Sequence, residues 1–245
     1  MNINHRISFR TGVFFLLLMT IPLVANCESI MVGDIEINPE DFSAKRGSEK
    51  RIAKCLLCHG DQAGGDIDFG PDVHFGTPSL RGMQESYIKE SLIAYKISTR
   101  IHKEMSAVSS ILDEETINFM ARTLAMFQVP PMKSANELMA LAKIDPLFLK
   151  GQTIAQKGIP QQGVPACIAC HGPLGEGGAV GPRLAGQNVM YIKNQFKAFA
   201  SERRQTDQSA IMQPVTAGLT GDDIAAVAHY YESITATKTT RALND

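Results

Sequence analysis

The string Cys55-Leu56-Leu57-Cys58-His59-Gly60 returns as Cys167-Ile168-Ala169-Cys170-His171-Gly172, so two thiols and an adjoining imidazole occur once in each half of a 245-residue chain. The repetition runs further. Pro78-Ser79-Leu80-Arg81-Gly82 followed by Tyr87-Ile88-Lys89 matches Pro182-Arg183-Leu184-Ala185-Gly186 followed by Tyr191-Ile192-Lys193 at a constant offset of 104. Met105 stands seven residues before Leu112, and Met212 seven before Leu219. After each Leu comes a helical spacing, Ile117, Met120, Ala121 and Leu124 in one copy and Ile224, Val227, Ala228 and Tyr231 in the other. Asp113 and Thr220 sit where helix caps belong, each followed by acidic residues that suit a first turn. Landmarks in one order, twice, mean two homologous units.

Val129-Pro130-Pro131 ends the first unit, because proline lacks the N–H and restricts its predecessor. The units are therefore 28–130 and 131–245. Helices are expected over 42–57, 85–98 and 113–127, then 146–157, 189–201 and 221–234, with 128–145 as a connector and no period-2 strand anywhere. Residues 1–27 form a signal peptide: Arg6 and Arg10 precede the apolar run Val13 to Ala25, which is shorter than the roughly 20 residues a membrane helix needs. Cleavage near residues 25 to 29 leaves a periplasmic protein without a stable transmembrane anchor; a lipid on Cys27 is the alternative, disfavoured by Asn26 before it. A net charge of -1 argues against a nucleic-acid partner.

Cys-x-x-Cys-His is the attachment string of c-type haem. Two thiols separated by two residues on a helical turn reach the two vinyl groups of a porphyrin, and the next residue turns its imidazole to the iron. A thioredoxin-type disulfide would need a strand-helix setting, and a zinc site would have to gather both Cys pairs from opposite halves. Two covalently bound haem c groups follow, on Cys55 and Cys58 and on Cys167 and Cys170, with His59 and His171 as the first axial ligands.

The sixth ligand separates a carrier from an enzyme. Met105 and Met212 share one position in the repeat, downstream of the His in what reads as a loop before the last helix. Methionine is ordinarily core filler, but a thioether at both places would stabilise ferrous iron. His102, three residues from Met105, and His74, in the longer first loop, are the other candidates for the first iron. Pro78 and Pro182 are turn residues or carbonyl acceptors for the proximal imidazole N–H. Tyr87 and Tyr191 either bond a haem propionate or pack on the ring. His229 reads as half-buried packing in the last helix.

These strings, with Gly181-Pro182-Arg183-Leu184-Ala185-Gly186-Gln187, the lead Gly163-Val164-Pro165-Ala166 and the run Leu219-Thr220-Gly221-Asp222-Asp223-Ile224, resemble the dihaem cytochrome c4 family over nearly all of 45–235. The resemblance implies an all-α fold of two tandem class I cytochrome c-like haem domains related by a pseudo-twofold. It also implies His59 and Met105 on one iron, His171 and Met212 on the other, and electron transfer between a membrane donor complex and a terminal oxidase. The first half departs from the family pattern in its longer loop and in Ile101-His102-Lys103-Glu104. Two alternatives stand beside this reading: the electron-accepting subunit of a flavocytochrome sulfide dehydrogenase, or a dihaem enzyme with one open iron for thiosulfate or peroxide chemistry. The halves differ in charge, with 11 Lys/Arg against 16 Asp/Glu in 28–130 and 11 against 9 in 131–245.

Overall fold

Periodic apolar spacing and capped starts produce helices along the chain. The computed structural model describes residues 29–236, apart from 33, 34, 44, 46, 61, 66–75 and 208. Residues 1–27, expected from the sequence to be a signal peptide, with Cys27 among them, and His74 lie outside the described residues. The helices are α1 (Ser48–His59), α2 (Glu85–Lys96), α3 (Lys103–Ser110), α4 (Glu114–Ala125), α5 (Ala135–Ile144), α6 (Pro146–Lys157), α7 (Ile168–His171), α8 (Val189–Ala200), α9 (Ser209–Ala217) and α10 (Gly221–Ser233). No helix among the described residues is long and apolar enough to cross a membrane.

Four expectations need correction. A two-stranded antiparallel hairpin, β1 (Ile30–Val32) and β2 (Ile35–Ile37), does form, pairing Ile30 with Ile37 and burying Val32 and Ile37 against the first core. Each strand is only three residues long, too short for alternation to show in sequence. The first helix starts at Ser48; Phe42 ends a short 3-10 turn, Pro39–Phe42. The connector holds α5, opened by a reciprocal cap in which Ser134 Oγ accepts from Glu137 N and Ser134 N donates to the Glu137 carboxylate. The supposed loops carrying Met105 and Met212 are helices α3 and α9.

Two apolar cores result. In the first, Ile52 of α1, Ile88 and Leu92 of α2, and Ile117, Met120, Ala121 and Leu124 of α4 pack together. In the second, Phe148 and Ile154 of α6, Ile192 and Phe196 of α8, and Val227, Ala228, Tyr230 and Tyr231 of α10 do so. One core per repeat is what two homologous units require. The caps anticipated in sequence form as well: Asp113 accepts from Thr116 N at 2.7 Å, and Thr220 and Asp223 cap α10 reciprocally.

Between the cores the chain crosses itself by an isolated antiparallel bridge, Arg100 with Arg204. Ile101 N donates to Arg203 O at 2.7 Å, and Gln205 N donates to Thr99 O at 2.6 Å. Both pairs exchange under the repeat offset of 104. Residue i meeting the counterpart of j, while j meets the counterpart of i, is the mark of a twofold-related interface.

Candidate functional site

α1 ends on its motif, which places Cys55, Cys58 and His59 on its last turns. In the second unit an extra turn separates α6 from the motif, so Cys167 caps the short α7 that carries Cys170 and His171. Both imidazoles are buried, His59 at 7% exposure and His171 at 8%. His59 Nδ1 lies 3.0 Å from Pro78 O, and His171 Nδ1 lies 2.7 Å from Pro182 O. A carbonyl only accepts, so Nδ1 carries the proton and Nε2 is left with its lone pair. Burial lowers both histidines from their ordinary value, the bond to the proline carbonyl offsetting part of this. Both side chains are thus neutral at neutral pH, the state a metal requires.

The turn after each His is the same. Gly65 N donates to His59 O and Gly177 N to His171 O, at 2.8 and 2.7 Å. Leu80 N then donates to Ala63 O and Leu184 N to Gly175 O, tying the proline segment back to the turn. The proline carbonyls are therefore fixed to the same loop that presents the imidazole.

The four thiols are free and partly exposed, with no disulfide among them. Burial, then the neighbouring Cys58, pushes Cys55 up to about 12, and burial likewise raises Cys58 and Cys167. Among the described residues no three His, Cys, Asp or Glu side chains gather as a metal site. Cys55 and Met105 pack against the first core, and Cys167 and Met212 against the second. Each methionine is thus brought to the core that its own Cys pair borders.

His102 stands at the N-cap position of α3 with no side-chain cap bond; its half-exposed ring places Nδ1 3.2 Å from Glu104 Oε2 and lies near enough to His59 to lower it further. His229 is more than packing. Its Nε2 lies 2.7 Å from Asp145 Oδ2, and Asp145 is the cap that accepts from Phe148 N, so α10 is pinned to the start of α6.

Tyr87 and Tyr191 take partners across the interface. Arg100 donates to Tyr191 Oη at 2.8 Å and to Gln195 Oε1 at 2.7 Å; Arg204 donates to Tyr87 Oη at 3.1 Å and to Gln195 Oε1 at 2.9 Å. Arg100 is 3% exposed and Arg204 is 5%. Burial alone would raise Tyr87, but Arg204 and Arg100 outweigh it and lower the phenol to about 7. Burial holds the adjacent Tyr191 up. Sequence reading named the tyrosines and missed both arginines; the signal available was the offset of 104 that pairs Arg100 with Arg204.

Haem fits what is present. Each motif offers two free thiols and a neutral imidazole of one tautomer. Buried polar atoms without a protein partner remain nearby, the hydroxyl of Tyr230 beside Cys167 and the Nε of Arg204, as expected where a further group completes the surroundings.

Residues 148–235 match the cytochrome c family. Cytochrome c4 of Pseudomonas aeruginosa is 30% identical over 190 residues, which are 76% of this chain and 86% of that protein. The chain belongs to the cytochrome c4 family. The reduced recombinant cytochrome c4 from Pseudomonas stutzeri superposes with a TM-score of 0.61 at 26% identity, covering 78% of this chain and 98% of that one. A protein of Stutzerimonas stutzeri named thiosulfate dehydrogenase electron acceptor is 28% identical over 77% of this chain and 82% of its own. As a cytochrome c4-family member, the chain is a dihaem electron-transfer cytochrome with two covalently bound haem c groups.

Proposed function

We propose that Cys55 and Cys58 tether the haem whose iron takes His59 and Met105, and that Cys167 and Cys170 tether the one whose iron takes His171 and Met212. The units are 28–130 and 131–245, and the mature chain works in the periplasm after loss of 1–27, carrying single electrons from a membrane donor complex toward a terminal oxidase. It is not an enzyme. The observation that carries the ligand assignment is the pair of Nδ1–H bonds to Pro78 O and Pro182 O, which leave each Nε2 free to bind metal. The boundary is supported by the strand-like pairing of the 131–133 segment with 234–236, where Ala236 N donates to Pro131 O and Lys133 N to Ile234 O at 2.8 and 2.9 Å.

Bound haem supplies a one-electron Fe(III)/Fe(II) couple. The protein does the rest. The thiols would hold the ring to α1 and α7, and the proline carbonyls hold each imidazole in one tautomer. The thioethers of Met105 and Met212, as second ligands, would favour the ferrous state and leave no site open to substrates.

A redox titration followed by absorption spectra tests this. Two haems per chain, each with a sulfur-to-iron charge-transfer band in the ferric state and no carbon monoxide adduct when reduced, are expected. Met105→Ala or Met212→Ala removes one band and lowers that centre's potential; a spectrum unchanged by either substitution refutes the assignment of that methionine. The likeness to the thiosulfate dehydrogenase electron acceptor favours a second reading of the donor, a thiosulfate-oxidising enzyme in place of a membrane complex. Reduction by such an enzyme with thiosulfate, faster than by a quinol-oxidising complex, would decide for it.

A further inference from the structure

Gln187 belongs to the second unit, is 2% exposed, and reaches the first with both ends of its amide, its Oε1 also accepting from the adjacent Asn188 N at 3.0 Å. Ser79 N donates to its Oε1 at 2.8 Å, and its Nε2 donates to Ser79 O at 2.9 Å. The Ser79 N–H lies in the same peptide plane as the Pro78 carbonyl, the acceptor of His59 Nδ1–H. Three groups therefore form one chain: imidazole N–H to Pro78 O, through the peptide, and Ser79 N–H to Gln187. A peptide whose N–H is bonded has a more negative carbonyl, so the two bonds strengthen each other.

The opposite unit is treated in kind. Gln84 of the first unit donates through Nε2 to Gly178 O at 2.8 Å and to Gly181 O at 3.2 Å. Gly181 O belongs to the peptide preceding Pro182, whose own carbonyl accepts from His171 Nδ1. Gly181 also lies against the ring, for a Cβ built there would stand 2.8 Å from His171 Nδ1. The grip is one peptide further from the acceptor than that of Gln187, and a proline joins the two.

We infer that Gln187 and Gln84 are reciprocal positioning residues, each setting through the partner unit's proline carbonyl the basicity of that unit's proximal imidazole, so that each haem's potential depends on a side chain of the other unit. This rests on the ligand assignment above. A firmly held Nδ1–H bond makes the imidazole a stronger donor, which stabilises ferric iron. Removing Gln187 weakens the Pro78 carbonyl as an acceptor and raises the potential of the His59 centre alone. Removing Gln84 raises that of the His171 centre by less, because its contact is one peptide removed.

The test uses the full-length holoprotein, with the centres distinguished by their haem methyl proton resonances during a redox titration. In Gln187→Ala the ferrous-to-ferric ratio of the His59 centre at fixed ambient potential rises about tenfold, the low end of the effect of losing an outer partner of a metal-bound histidine. For one electron that is about 59 mV. The His171 centre stays where it was, and the Ser79 amide exchanges faster with solvent. Gln84→Ala gives the mirrored pattern with a smaller shift. Gln187→Met, which keeps the volume, is the second variant should the Ala protein not fold. With both haems attached and six-coordinate, potentials that do not move, that move together, or that move only in the variant's own unit overturn the inference. The ligand assignment is read beforehand in the unaltered protein: a His59 Nδ1 proton without the paramagnetic shift of an iron-bound imidazole would remove that assignment, independently of either variant.

Discussion

Four residues after each motif histidine the backbone enters the left-handed region, at Ala63 with φ 55° and at Gly175 with φ 71°. The difference between the two side chains is explained by what faces them. A Cβ on Gly175 would stand 2.4 Å from Tyr231 Cε1, whereas the counterpart of Tyr231 in the first unit is the smaller Leu124. Gly175→Ala should therefore destabilise the second unit by about 2 to 3 kcal/mol, overpacking and left-handed strain acting together. Adding Tyr231→Leu should restore part of that, and calorimetry of the second unit's transition measures both; strict additivity would show that the two residues do not meet. At this scale the metal-binding strings were legible because attachment chemistry imposes a local spacing. The acceptor role of Pro78 and Pro182 was legible as one of two options. Gln84 and Gln187 were not, since nothing local announces a hydrogen bond to a residue 108 positions away.

Helix ends supply the next scale. Asp113, Asp145 and Asp223 cap or lie in the first turns of α4, α6 and α10, and all three carboxyls are lowered from their ordinary value. Bonds from Thr116 lower Asp113, and the bond from His229, then that from Phe148 N, lowers Asp145. Burial would raise Asp223, but bonds from Lys150 and Thr220 outweigh it. A carboxyl with a folded value below its unfolded one contributes stability that is complete above about pH 4 and is lost as pH falls through the folded value. The thermal midpoint should accordingly drop below about pH 4, and Asp145→Asn, which still caps, should lower it at neutral pH and by less at about pH 3. Equal lowering at both would mean the charge is irrelevant. Thr220→Ala removes the reciprocal cap of α10 and should cost about 1 kcal/mol, read as a lower midpoint of the second unit. The long helices were readable because a core face repeats along them. The short ones, α3 and α9, were not, because eight or nine residues of mixed burial give too few turns for a period to emerge. The start of α5 could have been found in the Ser134-Ala135-Asn136-Glu137 capping pattern.

For the molecule as a whole, the interface fixes two unequal halves face to face. Its polar centre is built from Arg100, Arg204, Tyr87, Tyr191 and Gln195, with ring contacts of Arg100 on Tyr95 at 4.6 Å and Arg204 on Phe199 at 4.6 Å. These cations are buried, so they add little to the field a redox partner meets; by sequence the first half is acidic and the second is not. With 16 acidic against 11 basic residues in 28–130, and 9 against 11 in 131–245, the propionates of bound haem make each half more negative without removing the contrast. A small cationic oxidant should therefore take electrons from the first haem faster than from the second at low ionic strength, and an anionic one should show the reverse preference. Raising ionic strength from about 0.01 M to about 0.15 M shortens the screening length from roughly 30 Å to roughly 8 Å and should erase most of that discrimination. Stopped-flow oxidation by tris(phenanthroline)cobalt(III) and by hexacyanoferrate(III), with each haem followed separately, measures it. Preferences that are equal for the two oxidants, or that survive at the higher salt, would mean that haem exposure rather than the field of each half selects the site of electron entry and exit.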